Sequence, residues 1–560
     1  MNLLVGGSAG QGMDTLASMF EKILKKLGFN IFSTRDYMSR VRGGHNFIQI
    51  RFSKENLTSH DVKIDTIIAL DEDTINNHII NLHENGTVIC DDKININDTR
   101  IIKLPLTEMA KEIGNSKMFG SIALGATLKL FNLTFDIVEE TVLNLFNENF
   151  AKINTLAIQK GYTLVSPKYS INSEYSENRI LINGNQAIAL GALASNCKFY
   201  SAYPMTPSTS IMNYLASKIN DAEIVVEQAE DEISAINMAI GASYAGVRAM
   251  TGTSGGGFCL MTEAVGLSGM AEIPIVIADI QRPGPVTGLP TRTEQGDLRF
   301  VISSSHGEFP KMVIALKNPE DAFFQTIRAF EIADKYRIPV IILGDQYLAD
   351  SITTVPSFNV DNIKLKTYTN NENHSNDLEF KTYELTDTGI SDRIIPCKIP
   401  GKVVKVYSDE HDEYGNITES AEIRIAMTNK RLNKFKHLEN ELIEPEFIGI
   451  DNCDILLLAW GSLQGPIIEA INLLNGQNSN KYGALIFGDI WPLPTKTLTK
   501  KAKRVKQIIN VEQNATGQLA SLIMEVTGIK CTKSVLRFDG RPMSYNDIYS
   551  KLTGGSLNGQ

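Results

Sequence analysis

Short apolar runs alternate with helical periodicities along most of this chain. Residues 1–5 read as a buried strand, a glycine-rich turn follows (Gly6, Gly7, Gly10, Gly12), and Met13, Leu16, Phe20, Ile23 and Leu27 then recur along one helical face. Gly28 is placed to end that helix, and residues 30–33 begin a second strand, a βαβ start. Further strands are predicted at 47–52, 66–70, 87–90 and 101–104, so residues 1–170 form one α/β domain. Residues 166–178 are polar, with Pro and Ser, and read as a linker. A second α/β domain is predicted over 179–355, with helices at 185–195, 232–244 and 259–270 and buried strands at 275–279 and 340–344. Residues 356–450 are polar and charged and are predicted to be an irregular connecting module. A last α/β domain spans 451–560, with strands at 455–460, 484–487 and 507–511 and a helix at 464–474.

Composition narrows the class. A length of 560 residues suggests three or four domains at roughly 150 residues each. The net charge of −10 disfavours a nucleic-acid partner, because an acidic surface repels phosphate backbones. No apolar run approaches the roughly 20 residues that span a bilayer. The first residues have no basic stretch before an apolar run, so no signal peptide is expected and a cytoplasmic location is. Cys90, Cys197, Cys259, Cys397, Cys453 and Cys531 are widely separated, which argues against a disulfide framework and against clustered iron–sulfur ligands. Electron carriers, if the chemistry needs them, are expected on another chain.

Three features fall in order within the second domain. The first is Tyr203-Pro204-Met205-Thr206-Pro207-Ser208-Thr209, where two prolines in four residues stiffen a loop and leave the hydroxyls of Thr206, Ser208 and Thr209 for hydrogen bonding. The second, Gln228-Ala229-Glu230-Asp231-Glu232, opens a helix whose apolar face is Ile233, Ile236 and Ile240. The third is a Gly- and Pro-rich loop from Gln281-Arg282 to Gly288-Leu289-Pro290-Thr291-Arg292 and on to Glu294 and Asp297. An acidic run at a helix start can simply cap the helix. A carboxylate doing acid–base work must instead be shielded from water, so that its pKa rises. The sequence leaves both readings open, and leaves Glu230 beside Glu232 as the candidate; Asp231 is expected to face solvent. Arg292 suits a carboxylate ligand, through two parallel charge-assisted hydrogen bonds, or a surface ion pair with Glu294 or Asp297. Arg282 is read as an arginine that fixes the loop. Ser254-Gly255-Gly256-Gly257 has the form of an anion-binding turn, with a tight strand-to-helix turn as the plainer reading. The glycines at 7, 10 and 12 lack the dinucleotide spacing. His411, among Asp409, Glu410, Asp412 and Glu413, is expected to sit in a solvated loop.

Taken in order, these motifs resemble the alpha subunit of the 2-oxoacid:ferredoxin oxidoreductases, whose loop reads Tyr-Pro-Ile-Thr-Pro where Met205 stands here. The resemblance continues through Thr251-Gly252-Thr253-Ser254-Gly255-Gly256-Gly257-Phe258, Glu263, Ala459-Trp460-Gly461-Ser462 and Val511-Glu512-Gln513-Asn514. Residues 1–170, with Gly10-Gln11-Gly12 and Arg42-Gly43-Gly44, look like that family's gamma subunit fused upstream. The resemblance implies an α/β multidomain fold. Its parts would be a gamma-like domain, the pyrimidine-binding domain of thiamine-diphosphate enzymes over 179–355, the module 356–450 and a transketolase-C-terminal-like domain over 451–560. It implies Glu232 as the catalytic carboxylate against the cofactor's aminopyrimidine, and Arg292 with Thr206 as substrate ligands. Tyr203, Pro204, Thr206, Glu232, Ser254 and Gly255 would bind thiamine diphosphate.

The Mg²⁺-binding Gly-Asp-Gly signature of thiamine enzymes is missing: Gly296-Asp297, Gly344-Asp345 and Gly488-Asp489 each lack the second glycine. No metal is therefore expected here. The resemblance implies that a beta subunit supplies the Mg²⁺–diphosphate half of the site and a 4Fe-4S cluster, in a dimer of heterodimers. The activity implied is oxidative decarboxylation of a 2-oxo acid, 2-oxoglutarate or a broad range, to the acyl-coenzyme A, with ferredoxin reduced. The alternatives are a transketolase- or dehydrogenase-type thiamine enzyme and a non-catalytic scaffold subunit.

Overall fold

The computed structural model describes residues 1–39, 44–172, 174–176, 178–370, 379–477 and 479–555; Arg42 and Gly43 lie outside them. The chain divides into two compact units.

The first unit comprises residues 1–182, 350–357 and 544–546. The opening strand Asn2–Ser8, the helix Met13–Lys26 and the strand Asn30–Asp36 follow the predicted βαβ start. Gly28 ends the helix at φ 72°, where its N–H reaches the Lys25 carbonyl, a conformation costly for any residue with a Cβ. An eight-stranded sheet runs in the order Ile101–Leu104, Leu82–Asp91, Ile64–Ala69, Asn2–Ser8, His45–Ser53, Asn30–Asp36, Ile352–Pro356, Arg179–Ile182. Its first four strands are parallel and the rest pair antiparallel. The helices Phe119–Leu130 and Glu148–Tyr162 cross backbone to backbone: a Cβ on Gly125 would lie 1.9 Å from the Ile158 carbonyl oxygen, and one on Gly161 1.8 Å from that of Ile122.

The sheet also differs from the module expected over 179–355. Arg179–Ile182 and Ile352–Pro356, the two ends of that span, pair with each other and add to the N-terminal sheet beside Asn30–Asp36. The Thr354 hydroxyl accepts from the Ile31 N–H (2.9 Å), and the Thr353 hydroxyl donates to the Ile31 carbonyl (3.0 Å). An open strand edge is thereby covered.

The second unit comprises residues 183–349, 358–543 and 547–560. Its seven-stranded sheet runs Asp489–Trp491, Met312–Ala315, Pro339–Asp345, Ile275–Gln281, Arg248–Thr253, Cys197–Ala202, Val225–Gln228, parallel except for the first. A five-stranded sheet runs Glu446–Gly449, Tyr482–Phe487, Ile455–Trp460, Gln507–Glu512, Lys533–Leu536, antiparallel only at its first strand. One apolar core serves both sheets, joining Phe258, Ile277 and Leu298 to Leu458, Trp460 and Leu519.

The expectation for 356–450 needs two corrections. That stretch contains an 18-residue helix, Ala421–Leu438. His411 is fully buried rather than solvated: its ring lies 3.9 Å from that of Tyr383, and Nδ1 is 3.0 Å from the Asp409 carbonyl oxygen. Among the described residues no helix is long and apolar enough to cross a membrane.

Candidate active site

Four neighbouring strands of the seven-stranded sheet carry the sequence motifs at their carboxyl ends. Cys197–Ala202 runs into the Tyr203 loop, Val225–Gln228 into the Glu232 helix, Arg248–Thr253 into Ser254, and Ile275–Gln281 into Arg282. In a parallel sheet these ends lie on one side, where ligand crevices form. The topology thus gathers motifs that are up to about 80 positions apart in sequence.

The acidic run divides its tasks. Asp231 caps the helix Glu232–Tyr244, accepting from the Ser234 N–H at 2.7 Å, so it is a half-buried cap rather than a solvent-facing residue. Glu230 is exposed. Glu232 is 4% exposed, and its Oε1 is buried with no hydrogen-bond partner among the described residues. Burial raises its pKa above the ordinary 4.5; Asp231 adds to the rise and Arg282 opposes it. A hydrogen bond from its own N–H at the helix start also works against the rise, and burial outweighs it. Of the expected apolar face, Ile236 and Ile240 are buried, while Ile233 is 51% exposed.

The Glu232 carboxyl rests on the first turn of the helix Gly255–Met270. A Cβ on Gly257 would lie 2.5 Å from Glu232 Oε1 and 2.2 Å from Thr253 Oγ1, so only glycine leaves room for the carboxyl. Ser254, fully buried in extended backbone before this helix, leaves its hydroxyl without a partner. Gly255 lies under the carboxylate of Asp297.

The Tyr203 loop is fixed from two sides. Asn185 donates to the Pro207 carbonyl at 2.8 Å, and Arg282 Nη1 donates to the Thr206 carbonyl at 2.6 Å. Arg282 is therefore the loop-fixing arginine that the sequence suggests. The Ser208 hydroxyl turns back to the Met205 carbonyl (2.8 Å) and is consumed there. Thr206 and Pro204 are half-buried and Tyr203 is 40% exposed. Arg292 is half-buried in the loop beyond Arg282. Its N–H bonds the Leu289 carbonyl (3.1 Å), and its side chain runs beside Gly540, where a Cβ would meet Arg292 Cβ at 3.1 Å.

Two acids stand out that the sequence did not offer as buried carboxyls: Asp279, and Asp297, which it offered only as an ion-pair partner of Arg292. Asp279 is fully buried in the strand Ile275–Gln281, with neither oxygen partnered among the described residues, and burial pushes its pKa well above 3.8. Asp297 has a buried, unpartnered Oδ2; burial and Glu294 push its pKa up to about 7 against the pull of Arg282. The signal was present: a carboxylate inside an otherwise apolar strand needs a reason.

A buried carboxyl oxygen with no partner among the described residues fits a ligand that brings a ring nitrogen to share its proton, as the aminopyrimidine of thiamine diphosphate does. Fold and site together thus define an α/β protein built to present a desolvated carboxyl to such a ligand. Residues 190–430 match the family model described as pyruvate flavodoxin/ferredoxin oxidoreductase, thiamine diphosphate-binding, and residues 2–164 that described as pyruvate ferredoxin/flavodoxin oxidoreductase. The chain is 32% identical to the 2-oxoacid:ferredoxin oxidoreductase subunit alpha of Saccharolobus solfataricus, over 97% of this chain and 96% of that one. It is 30% identical to the 2-oxoglutarate synthase subunit KorA of Methanothermobacter marburgensis, over 67% of this chain and 98% of that one. It superimposes on the 2-oxoglutarate:ferredoxin oxidoreductase of Magnetococcus marinus with a TM-score of 0.92 at 28% identity, over 99% of each chain; that structure has 2-oxoglutarate, coenzyme A and succinyl-CoA bound. The chain belongs to the family of 2-oxoacid:ferredoxin oxidoreductase alpha subunits, as its motifs imply, with the expected α/β multidomain fold.

Proposed function

We propose that this chain carries the pyrimidine-facing half of a split thiamine-diphosphate site. A beta subunit would supply the Mg²⁺–diphosphate half and the 4Fe-4S cluster. The pair would convert a 2-oxo acid and coenzyme A to the acyl-coenzyme A and carbon dioxide, passing two electrons singly to ferredoxin. 2-Oxoglutarate, or a broad range of 2-oxo acids, is the favoured substrate, since relatives and a structural neighbour are named for it.

The observation that carries this reading is the buried Glu232 carboxyl, whose Oε1 has no partner among the described residues and lies over a glycine. Thiamine diphosphate, when bound, supplies the nucleophilic carbon and the electron sink that decarboxylation needs. Glu232 then holds a proton at Oε1 for the ring nitrogen, which requires the raised pKa that burial gives it. Tyr203, Pro204, Thr206, Ser254 and Gly255 form the wall around that ring. Arg292, with Thr206, takes the carboxylate common to all 2-oxo acids through charge-assisted hydrogen bonds. The two helices that begin at the site leave Ile233 and Leu260 each 51% exposed, as a second polypeptide closing the site requires.

The test is viologen-dye reduction by the chain co-expressed with its beta subunit, offered each 2-oxo acid in turn. Glu232→Ala should lower the rate by about 10²–10⁴-fold while the two chains still co-purify. Full activity in that variant would remove Glu232 from the reaction. No reduction by the wild-type pair with any 2-oxo acid would favour the scaffold reading.

A further inference from the structure

The motifs Trp460-Gly461-Ser462 and Glu512-Gln513-Asn514 stand at the carboxyl ends of two neighbouring parallel strands, Ile455–Trp460 and Gln507–Glu512. Chain order in the five-stranded sheet reverses between these two: the strand after Ile455–Trp460, Tyr482–Phe487, lies on its one side, and Gln507–Glu512 lies on the other. In an open parallel sheet the crevice beyond such a reversal is where small ligands bind. Here the loop that carries Arg292 fills it, with Gln295.

Gln295 is fully buried, and its main chain and side chain alike are committed to that crevice. Its N–H donates to the Gln513 carbonyl (2.7 Å) and its carbonyl accepts from Asn514 Nδ2 (3.1 Å). Its Oε1 accepts from the Gln513 N–H (3.1 Å) and its Nε2 donates to the Trp460 carbonyl (2.9 Å). The socket is itself braced. The Glu512 carboxylate accepts from Trp460 Nε1 (3.0 Å), Asn514 Nδ2 (2.7 Å) and the Leu519 N–H (2.9 Å). Gly461, at φ 58°, gives Gln295 room: a Cβ there would lie 3.3 Å from its Nε2. The grip extends along the loop in both directions. Gln518 Nε2 donates to the Gly296 carbonyl (2.7 Å), and Gln518 Oε1 accepts from the Arg299 N–H (2.9 Å). Towards Arg292, the Thr293 N–H reaches the Gly540 carbonyl (3.4 Å), and the Arg292 stem lies against Gly540. Joining the two sheets does not need this arrangement, because Phe258, Leu298, Trp460 and Leu519 already share an apolar core. A buried amide gains little net stability over an apolar side chain of its size; what a fully satisfied one adds is a single defined position.

We infer that Gln295 is a positioning residue for the substrate: seated in this socket, it fixes the loop so that the Arg292 guanidinium stands where the carboxylate of the 2-oxo acid arrives. The five-stranded sheet thereby takes part in substrate recognition without touching the substrate, and the crevice in which such a sheet would take a ligand serves as an anchor. This rests on the role assigned to Arg292 above.

The test uses the enzyme assembled with its beta subunit. Dye reduction is followed against 2-oxoglutarate concentration, and exchange of the cofactor's C2 proton for deuterium is followed without substrate. Gln295→Met keeps the side chain's length and removes its donor and acceptor. It should raise KM about 10²-fold, the effect of a misplacement of about 1 Å, with kcat within a few-fold of wild type. C2 exchange should stay at the wild-type rate, since that step involves no substrate carboxylate. Gln295→Glu supplies a rescue. Protonated, the new side chain presents the same donor and acceptor as glutamine; ionised, it loses the donor and faces the Trp460 carbonyl. Burial raises its pKa, so its KM should match wild type at about pH 6 and climb towards that of Gln295→Met at about pH 9, each compared with wild type at the same pH. Arg292→Ala should raise KM at least as far, and adding Gln295→Met to it should raise KM no further, because both act through one contact. A wild-type KM in Gln295→Met, or effects that add in full in the double variant, overturns the proposal. So does a loss of C2 exchange in step with turnover, which would mark Gln295 as a support of the whole fold. Should Gln295→Met fail to assemble, Gln295→Glu decides alone: a KM ratio to wild type that does not change with pH overturns the proposal. A wild-type KM in Arg292→Ala would instead show that the role of Arg292 fails.

Discussion

Glu272 shows how costly a single ion can be inside this chain. It is 1% exposed, sits at φ 52°, and accepts from Lys430 Nζ at 2.7 Å and Lys434 Nζ at 2.6 Å, both lysines being equally buried. Burial alone would raise its pKa. Lys430, Lys434 and Arg337 more than reverse that and hold it well below 4.5. A depressed carboxylate pKa contributes stability at every pH above the unfolded value, which is lost only as pH falls below it. Glu272→Gln should therefore lower unfolding stability by about 3–5 kcal/mol at neutral pH, because two buried ammonium groups lose their counter-ion. Denaturant unfolding of the two chains from pH 8 to pH 3 checks it. The difference should widen as pH falls through about 7, where Lys434, pushed down to about 7 by burial, gains its charge, and shrink below about 4.5, where the unfolded Glu272 carboxyl takes up a proton. A constant gap into strong acid would mean that the lost shape, not the charge, matters.

The same lysines explain which elements the sequence revealed. The strands Ile275–Gln281 and Pro339–Asp345 and the helix Glu232–Tyr244 were legible, because their buried positions are apolar or end in recognisable turns. The helix Ala421–Leu438 was not. Its buried face is Met427, Lys430, Arg431, Lys434 and Leu438, correct helical spacing written in cations, so a search for apolar periodicity passes over it. Their partners, Glu272 and Glu410, come from outside the helix and could not be paired with it from sequence. Likewise Glu232 was legible within its motif, while Asp279 and Asp297 acquire meaning only when the sheet joins them. The triglycine start of the helix Gly255–Met270 carries its own prediction. Alanine is a better helix former than glycine by about 1 kcal/mol, while overpacking a buried site costs about 1–3 kcal/mol, so Gly257→Ala should still fold, with a melting temperature lowered by a few degrees. Its Cβ would nevertheless enter the space of Glu232 Oε1 and Thr253 Oγ1, at 2.5 and 2.2 Å. Thiamine-dependent dye reduction should fall about 10²-fold, since a misplacement of about 1 Å has that effect. Gly256→Ala, whose Cβ meets only the Val286 carbonyl at 3.3 Å, should stay within a few-fold of wild type. Equal loss in both would mean that the turn as a whole, and not the seat of Glu232, is sensitive.

At the scale of the molecule, two helices that begin at the site end their usefulness to this chain halfway round their circumference. Glu232–Tyr244 and Gly255–Met270 bury Ile236, Ile240, Phe258 and Met261, yet leave Ile233 and Leu260 each 51% exposed, on the wall of a groove of about 670 Å³ that Leu267, Met270 and Phe309 also line. These apolar side chains, in a groove that Glu263, Glu308, Arg424 and Arg431 also line, fit a face with an apolar centre and charged rim closed by the proposed beta subunit. What this chain reveals of the proposed partner is therefore the shape and polarity of the missing surface. Leu260 separates folding from assembly. Because it is exposed, Leu260→Asp should change the stability of the isolated chain by less than about 0.5 kcal/mol. A carboxylate buried against an apolar partner is a different matter, and the cost of desolvating it should abolish co-purification with the beta subunit and, with it, dye reduction. Glu263→Ala, from the same helix and the same groove, removes a charge instead of adding one and should leave the pair intact. Size-exclusion chromatography of the co-expressed chains decides it. An intact complex carrying Leu260→Asp would place the subunit contact on some other face and leave the exposed row without a partner of this kind.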